Sequence, residues 1–103
     1  MKETKVFNFC SELDYQNEAI VSKEFIKKPS GNVTLFAFDA GQGLSEHTAP
    51  FDALVNILEG EAEIKISGKP YFVRQNESII MPAGKPHALL AAKKMKMLLV
   101  MIK

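Results

Sequence analysis

Hydrophobic and polar positions alternate along most of this chain with a period of two, and no stretch carries the spacing of a long amphipathic helix. The clearest run covers residues 61–67. Ala62, Ile64 and Ile66 point one way, while Glu61, Glu63, Lys65 and Ser67 point the other. Residues 67–70 (Ser-Gly-Lys-Pro) supply a turn, and residues 71–75 return as the partner strand. Upstream, residues 19–26 and 33–38 read as strands. The segment 27–32 between them (Lys-Lys-Pro-Ser-Gly-Asn) has turn chemistry, because proline fixes φ and glycine tolerates φ > 0. Downstream, residues 78–81, 87–91 and 95–102 read as further strands, and residues 11–18 have room for one helical turn. Short strands punctuated by Gly/Pro turns predict an all-β barrel or sandwich.

Bulk properties narrow the picture. With 103 residues, 47% of them hydrophobic, the chain forms one domain (1–103) that can bury its own core. A formal net charge of +1 argues against a nucleic-acid partner, which calls for a basic stripe. Lys93, Lys94 and Lys96 form the one dense basic cluster, and its place between two apolar runs reads as a solvated hairpin tip. Cys10 is the sole cysteine, so no intrachain disulfide forms; it reads as a small buried hydrophobe. The first ten residues lack the apolar stretch of a secretion signal, and the apolar run 97–102 is too short to cross a bilayer. The expectation is a cytoplasmic protein with no membrane partner.

Candidate chemistry rests on two histidines. If a strand runs on from His47, then His47, Ala49, Phe51, Ala53, Val55 and Ile57 share the inward face, with Asp52 and Asn56 on the other. The five residues Pro82-Ala-Gly84-Lys-Pro86 force a tight corner that re-aims the chain just before His87, with Gly84 allowing a close backbone approach. Two histidines outside any nucleophile-elbow pattern supply no catalytic triad, and no glycine-rich phosphate loop is present.

These two segments resemble the paired motifs of the cupin superfamily. The first family motif reads Gly, five residues, His-x-His, three or four residues, Glu, six residues, Gly. Gly41, His47 and Gly60 match it over residues 41–60, while Ala49 stands for the second histidine and Ala53 for the glutamate. The second reads Gly, five residues, Pro-x-Gly, two residues, His, three residues, Asn. Pro82, Gly84 and His87 match it over residues 76–91, with Asn76 in place of the glycine and Ala91 in place of the asparagine. The wording around His47 and residues 58–64 also resembles small single-domain bacterial cupins of unassigned activity. The resemblance implies a jelly-roll barrel (a double-stranded β-helix) and a homodimer formed by sheet packing. It also implies exchange of N-terminal strands, drawn from residues 1–26 within an N-terminal portion 1–32.

The resemblance further implies one divalent ion (iron, manganese, nickel, copper or zinc) with His47 and His87 as ligands. Ala49 and Ala53 cannot ligate, and two imidazoles leave such an ion short of donors, so the expected metal site is degenerate. The alanines leave room instead. A pocket lined by Ala49, Phe51, Ala53 and Met97, with two imidazoles as polar anchors, has the make-up of a small-molecule site. Met81, Met95, Met97 and Met101 add soft thioethers, with adaptable packing as their ordinary use. Three functions therefore stand side by side: a small organic ligand held beside His47 and His87, a metal-dependent isomerase, lyase or dioxygenase with an incomplete protein shell, and a non-catalytic dimerisation scaffold. Enzymatic activity is left open.

Overall fold

The computed structural model describes residues 4–103. It holds nine strands: β1 (Ile20–Lys28), β2 (Gly31–Phe38), β3 (Gly43–His47), β4 (Asp52–Glu59), β5 (Glu61–Ile66), β6 (Lys69–Arg74), β7 (Ser78–Met81), β8 (His87–Ala91) and β9 (Met95–Ile102). The expected helical turn at 11–18 lies earlier, as a 3-10 turn over Phe9–Ser11. Asn8 caps it by accepting a hydrogen bond from the Cys10 backbone N–H at 2.9 Å, which satisfies a donor the turn leaves free.

The strands form two antiparallel sheets that face each other as a jelly roll. One has five strands in the order β1-β2-β9-β4-β7, and the other has four in the order β3-β8-β5-β6. Alternation sorts the side chains. Ala53, Val55 and Ile57 of β4 and Met95 and Met97 of β9 point inward from the larger sheet. They meet Ala62 and Ile64 of β5 and Leu89 and Ala91 of β8. These buried residues form the core, and no helix among the described residues is long and apolar enough to cross a membrane.

Two sequence expectations about loops need correcting. Residues 92–94 are not a hairpin tip: they carry the chain from β8 in the smaller sheet to β9 in the larger one. Lys96 is not solvated either. It sits opposite Ala37 on the outer face of the larger sheet and is only 6% exposed. The N-terminal segment returns over it: the Lys96 ammonium donates to the Cys10 carbonyl at 2.6 Å and lies 5.0 Å from the centre of the Tyr15 ring. The Tyr15 hydroxyl in turn donates to Glu59 at 2.6 Å. Gly60 makes the crossing from β4 to β5 with φ +84°, and a side chain there would collide with the Lys94 carbonyl oxygen.

Candidate functional site

One extra residue in β3 decides which side chain faces the barrel interior. Gly43 pairs with Leu90 and Leu44 with Leu89, a register that would set Glu46 opposite His87. A bulge between Leu44 and His47 shifts the pairing by one, and His47 lands opposite His87 instead. Directly opposed residues on antiparallel strands share a face, so both imidazoles project to the same side. The strand does not run on from His47, as the sequence reading supposed. It stops there, and Pro50, which has no N–H to give a ladder, lies in the loop before β4. That loop is tied to the corner preceding His87: Gly84 N–H donates to the Ala49 carbonyl at 2.8 Å, and Ala83 N–H donates to the Asp52 carboxylate at 2.8 Å. Gly84 is needed for its φ of +78°, not for a close approach, since a Cβ there would meet nothing within 4 Å.

The two rings meet edge to face with centroids 4.3 Å apart, and their Nε2 atoms are 3.0 Å apart. His47 Nδ1 lies 2.8 Å from the Ser45 carbonyl oxygen and His87 Nδ1 3.3 Å from that of Lys85. A carbonyl offers only lone pairs, so a neutral ring that donates from Nδ1 leaves its Nε2 as an acceptor. The 3.0 Å approach of the two Nε2 atoms calls for a hydrogen between them, from one ring in the Nε2–H tautomer or from an added proton, or for an outside group that both nitrogens can bind. His47 is exposed, whereas His87 is 6% exposed. Burial, and secondarily the neighbouring His47, hold the His87 imidazole below its ordinary pKa, against a smaller opposing pull from the Lys85 carbonyl.

Behind the pair lies a cavity of about 70 Å³. His47, His87, Leu44 and Leu89 line it from the smaller sheet, and Ala49 from the loop. Phe36, Ala53, Met81, Met97, Leu99 and Met101 line it from the larger sheet. Phe51, expected beside them, is not part of that lining. The break after His47 removes it from strand parity, and its ring lies 5.4 Å from the Lys103 ammonium. Phe36, Leu44, Leu89 and Leu99 were not singled out from sequence. Leu99 shares the parity of Met97 and Met101 and was legible in principle, but Phe36 enters only through the pairing of β2 with β9.

The Cupin domain family matches residues 34–103. The chain belongs to the cupin family. It is 37% identical to a conserved protein of unknown function from Streptococcus pyogenes, covering 100% of this chain and 90% of that one with a TM-score of 0.94. It is 42% identical to a Cupin 2 conserved barrel domain protein from Leptotrichia buccalis, over 94% of this chain and 47% of that one, with a TM-score of 0.91. A cupin superfamily protein from Desulfitobacterium hafniense shares the fold at 24% identity and a TM-score of 0.92, over 99% of this chain and 94% of that one. No curated protein matches the chain.

Among the described residues this cupin does not carry the donor set of a divalent-metal barrel. Among the described residues no group of three or more His, Cys, Asp or Glu converges on one point. Asp52 has its carboxylate engaged by the Ala83 N–H, and Glu46 is exposed. Catalytic zinc takes about three protein donors, and the two imidazoles fall short of that.

Proposed function

We propose that this cupin is a binding protein for a small weak acid, such as a short-chain carboxylic acid or an enol. The observation that carries the reading is the pair of Nε2 atoms, 3.0 Å apart, at the mouth of an otherwise apolar cavity. An acidic O–H donates its hydrogen to an Nε2 of the pair; a carboxylic acid can transfer it, leaving an imidazolium against a carboxylate, a charge-assisted pair, whereas an enol stays an O–H donor. The tail then lies among Met97, Leu99 and Met101. Size sets the class. Ordinary ligand sites span roughly 300–1,000 Å³, so about 70 Å³ admits a molecule of a few heavy atoms and excludes an intact sugar nucleotide or large aromatic. The test is calorimetric titration with two- to four-carbon monocarboxylic acids against the parent, His47→Ala and His87→Ala. Saturable binding in the parent, weakened at least tenfold in both variants, is the expected result. Equal binding by all three proteins, or by none, refutes the reading.

A homodimer is supported by a different observation. Ile26, Val33, Val100, Leu54 and Ile80 stand opposite one another across β1, β2, β9, β4 and β7, an unbroken apolar row on the outer face of the five-stranded sheet. Ile26, Leu54 and Ile80 are 51%, 41% and 61% exposed. Such a row is the usual mark of an interface, and two copies packed face to face cover it. Exchange of the N-terminal strands is narrower. β1 is joined to its own β2 by the two residues Pro29-Ser30, so exchange would fall to the segment ahead of β1, which here is held on its own chain by the Lys96–Cys10 and Tyr15–Glu59 hydrogen bonds. Residues 1–3 of that segment lie outside the described residues.

A further inference from the structure

Both imidazoles stand where the chain leaves one sheet for the other. The loop 48–51 carries it from His47, the last residue of β3, across to β4, and the corner 82–86 carries it from β7 back to His87, the first residue of β8. The two crossings are tied to each other at the step where the β4–β7 ladder stops. Ala53 pairs with Met81, so the next rung would set Asp52 against Pro82, which has no N–H to give. The Asp52 carboxylate takes over there, accepting from the Ala83 N–H at 2.8 Å. We propose that Asp52 is a positioning residue: its carboxylate clamps the corner 82–86 and so holds Nε2 of His87 in place 3.0 Å from that of His47. The proposal rests on the weak-acid reading for what the positioned pair binds, while the clamp itself is tested on the unliganded protein.

The path from Asp52 to the imidazole is short. Asp52 holds Ala83, Gly84 donates to the Ala49 carbonyl at 2.8 Å, and the carbonyl of the next residue, Lys85, lies 3.3 Å from His87 Nδ1. That last contact is already at the long end of hydrogen bonding, so a shift of the corner by a few tenths of an ångström releases the ring. His47 does not share this dependence, because its Nδ1 is 2.8 Å from the Ser45 carbonyl within its own strand. At its far end the corner is held by the Ser67 N–H, which donates to the Pro86 carbonyl at 2.8 Å. That tie and the one from Gly84 to Ala49 run backbone to backbone, so no side chain supplies them. Besides His87 itself, Asp52 is the one side chain hydrogen-bonded to the corner among the described residues. The sequence places it there for a local reason: proline ends the ladder, and a carboxylate one rung on restores an acceptor for the next free N–H.

Asp52 is exposed, so replacing it leaves the core intact. Asp52→Ala removes the acceptor, and Asp52→Asn keeps a side-chain oxygen in its place. Asn56→Ala is the control for the strand pair: it deletes an exposed hydrogen bond of the same length, from Asn56 Nδ2 to Ser78 Oγ at 2.8 Å, at the other end of the β4–β7 ladder. Three quantities are read in the full-length chain: hydrogen exchange of the Ala83 amide, the nuclear Overhauser contact between the His47 and His87 rings without ligand, and the dissociation constant for propionate. In Asp52→Ala the amide should exchange about tenfold faster or more, the ring contact should fall by about half or more, and the dissociation constant should rise roughly five- to tenfold, the size set by one lost hydrogen bond. Asp52→Asn and Asn56→Ala should keep the parent's ring contact and affinity. An unchanged ring contact in Asp52→Ala, the same losses in Asn56→Ala, or an Asp52→Asn protein that behaves like Asp52→Ala overturns the proposal. If the parent binds no propionate, the weak-acid reading falls, and the ring contact and amide exchange alone decide the role of Asp52.

Discussion

Filling the cavity gives a quantitative test of whether it is real space. Ala53 is 5% exposed, lines the cavity, and stands opposite Met81 on β7 and Met101 on β9. Ala53→Val adds two carbons, whose transfer from water contributes about 1.6 kcal/mol at ~0.8 per carbon. Both added carbons enter the space that Ala53 lines, and β-branching suits a strand. After ordering and imperfect fit, the expected gain is about 0.5–1.5 kcal/mol, which raises Tm by ~4–8 °C for each kcal/mol in a domain of this size. The same substitution at Ala62, fully buried with no cavity beside it, is the control and should destabilise by about 1–3 kcal/mol through overpacking. Both are read by urea denaturation and calorimetry. Binding of short-chain acids should fall at least tenfold in Ala53→Val, the familiar exchange of function for stability. If Ala53→Val destabilises as much as Ala62→Val, the space is not there and the site reading goes with it.

Other perturbations probe separate parts of the account. Gly60→Ala combines an unfavourable positive φ, about 1–2 kcal/mol, with a collision at the Lys94 carbonyl, and should cost more than ~2 kcal/mol in denaturant titration; a neutral result shows that the crossing from β4 to β5 is not tight. His87 has its imidazole pKa held below the ordinary 6.5 in the folded state. The unfolded chain therefore takes up the proton first as pH falls, so this contribution to stability is whole above about pH 6.5 and is lost below it. His87→Gln should flatten the stability–pH curve between pH 7 and 5, and an unchanged slope contradicts the assignment. Leu54→Lys with Ile80→Lys places charge in the middle of the apolar row and should convert a dimer of twice 11.4 kDa to monomer in sedimentation equilibrium. A parent that is already monomeric removes the dimer reading.

The strands at 78–81, 87–91 and 95–102 were legible because alternation and Gly/Pro punctuation are local properties of the chain. The imidazole pair was half legible. Motif spacing nominated His47 and His87, yet what aims His47 inward is a bulge, and a bulge is a property of pairing with β8 that no local pattern announces. The same blindness to long-range contact produced the error at Phe51, where strand parity was carried through Pro50, and at Lys96, whose burial depends on the returning segment at Cys10 and Tyr15. Ala49 and Ala53 showed that room existed. Only packing sets it at about 70 Å³.

The most direct test of the central claim is an NMR titration of the protein labelled at imidazole nitrogen and methionine methyl positions, with short-chain carboxylic acids as ligands. The account predicts that Nε2 of His47 and His87 and the methyls of Met97 and Met101 move together along one saturation curve while Met95 stays still. Shifts that bypass the two imidazoles, or the absence of saturable shifts with every acid, contradict it.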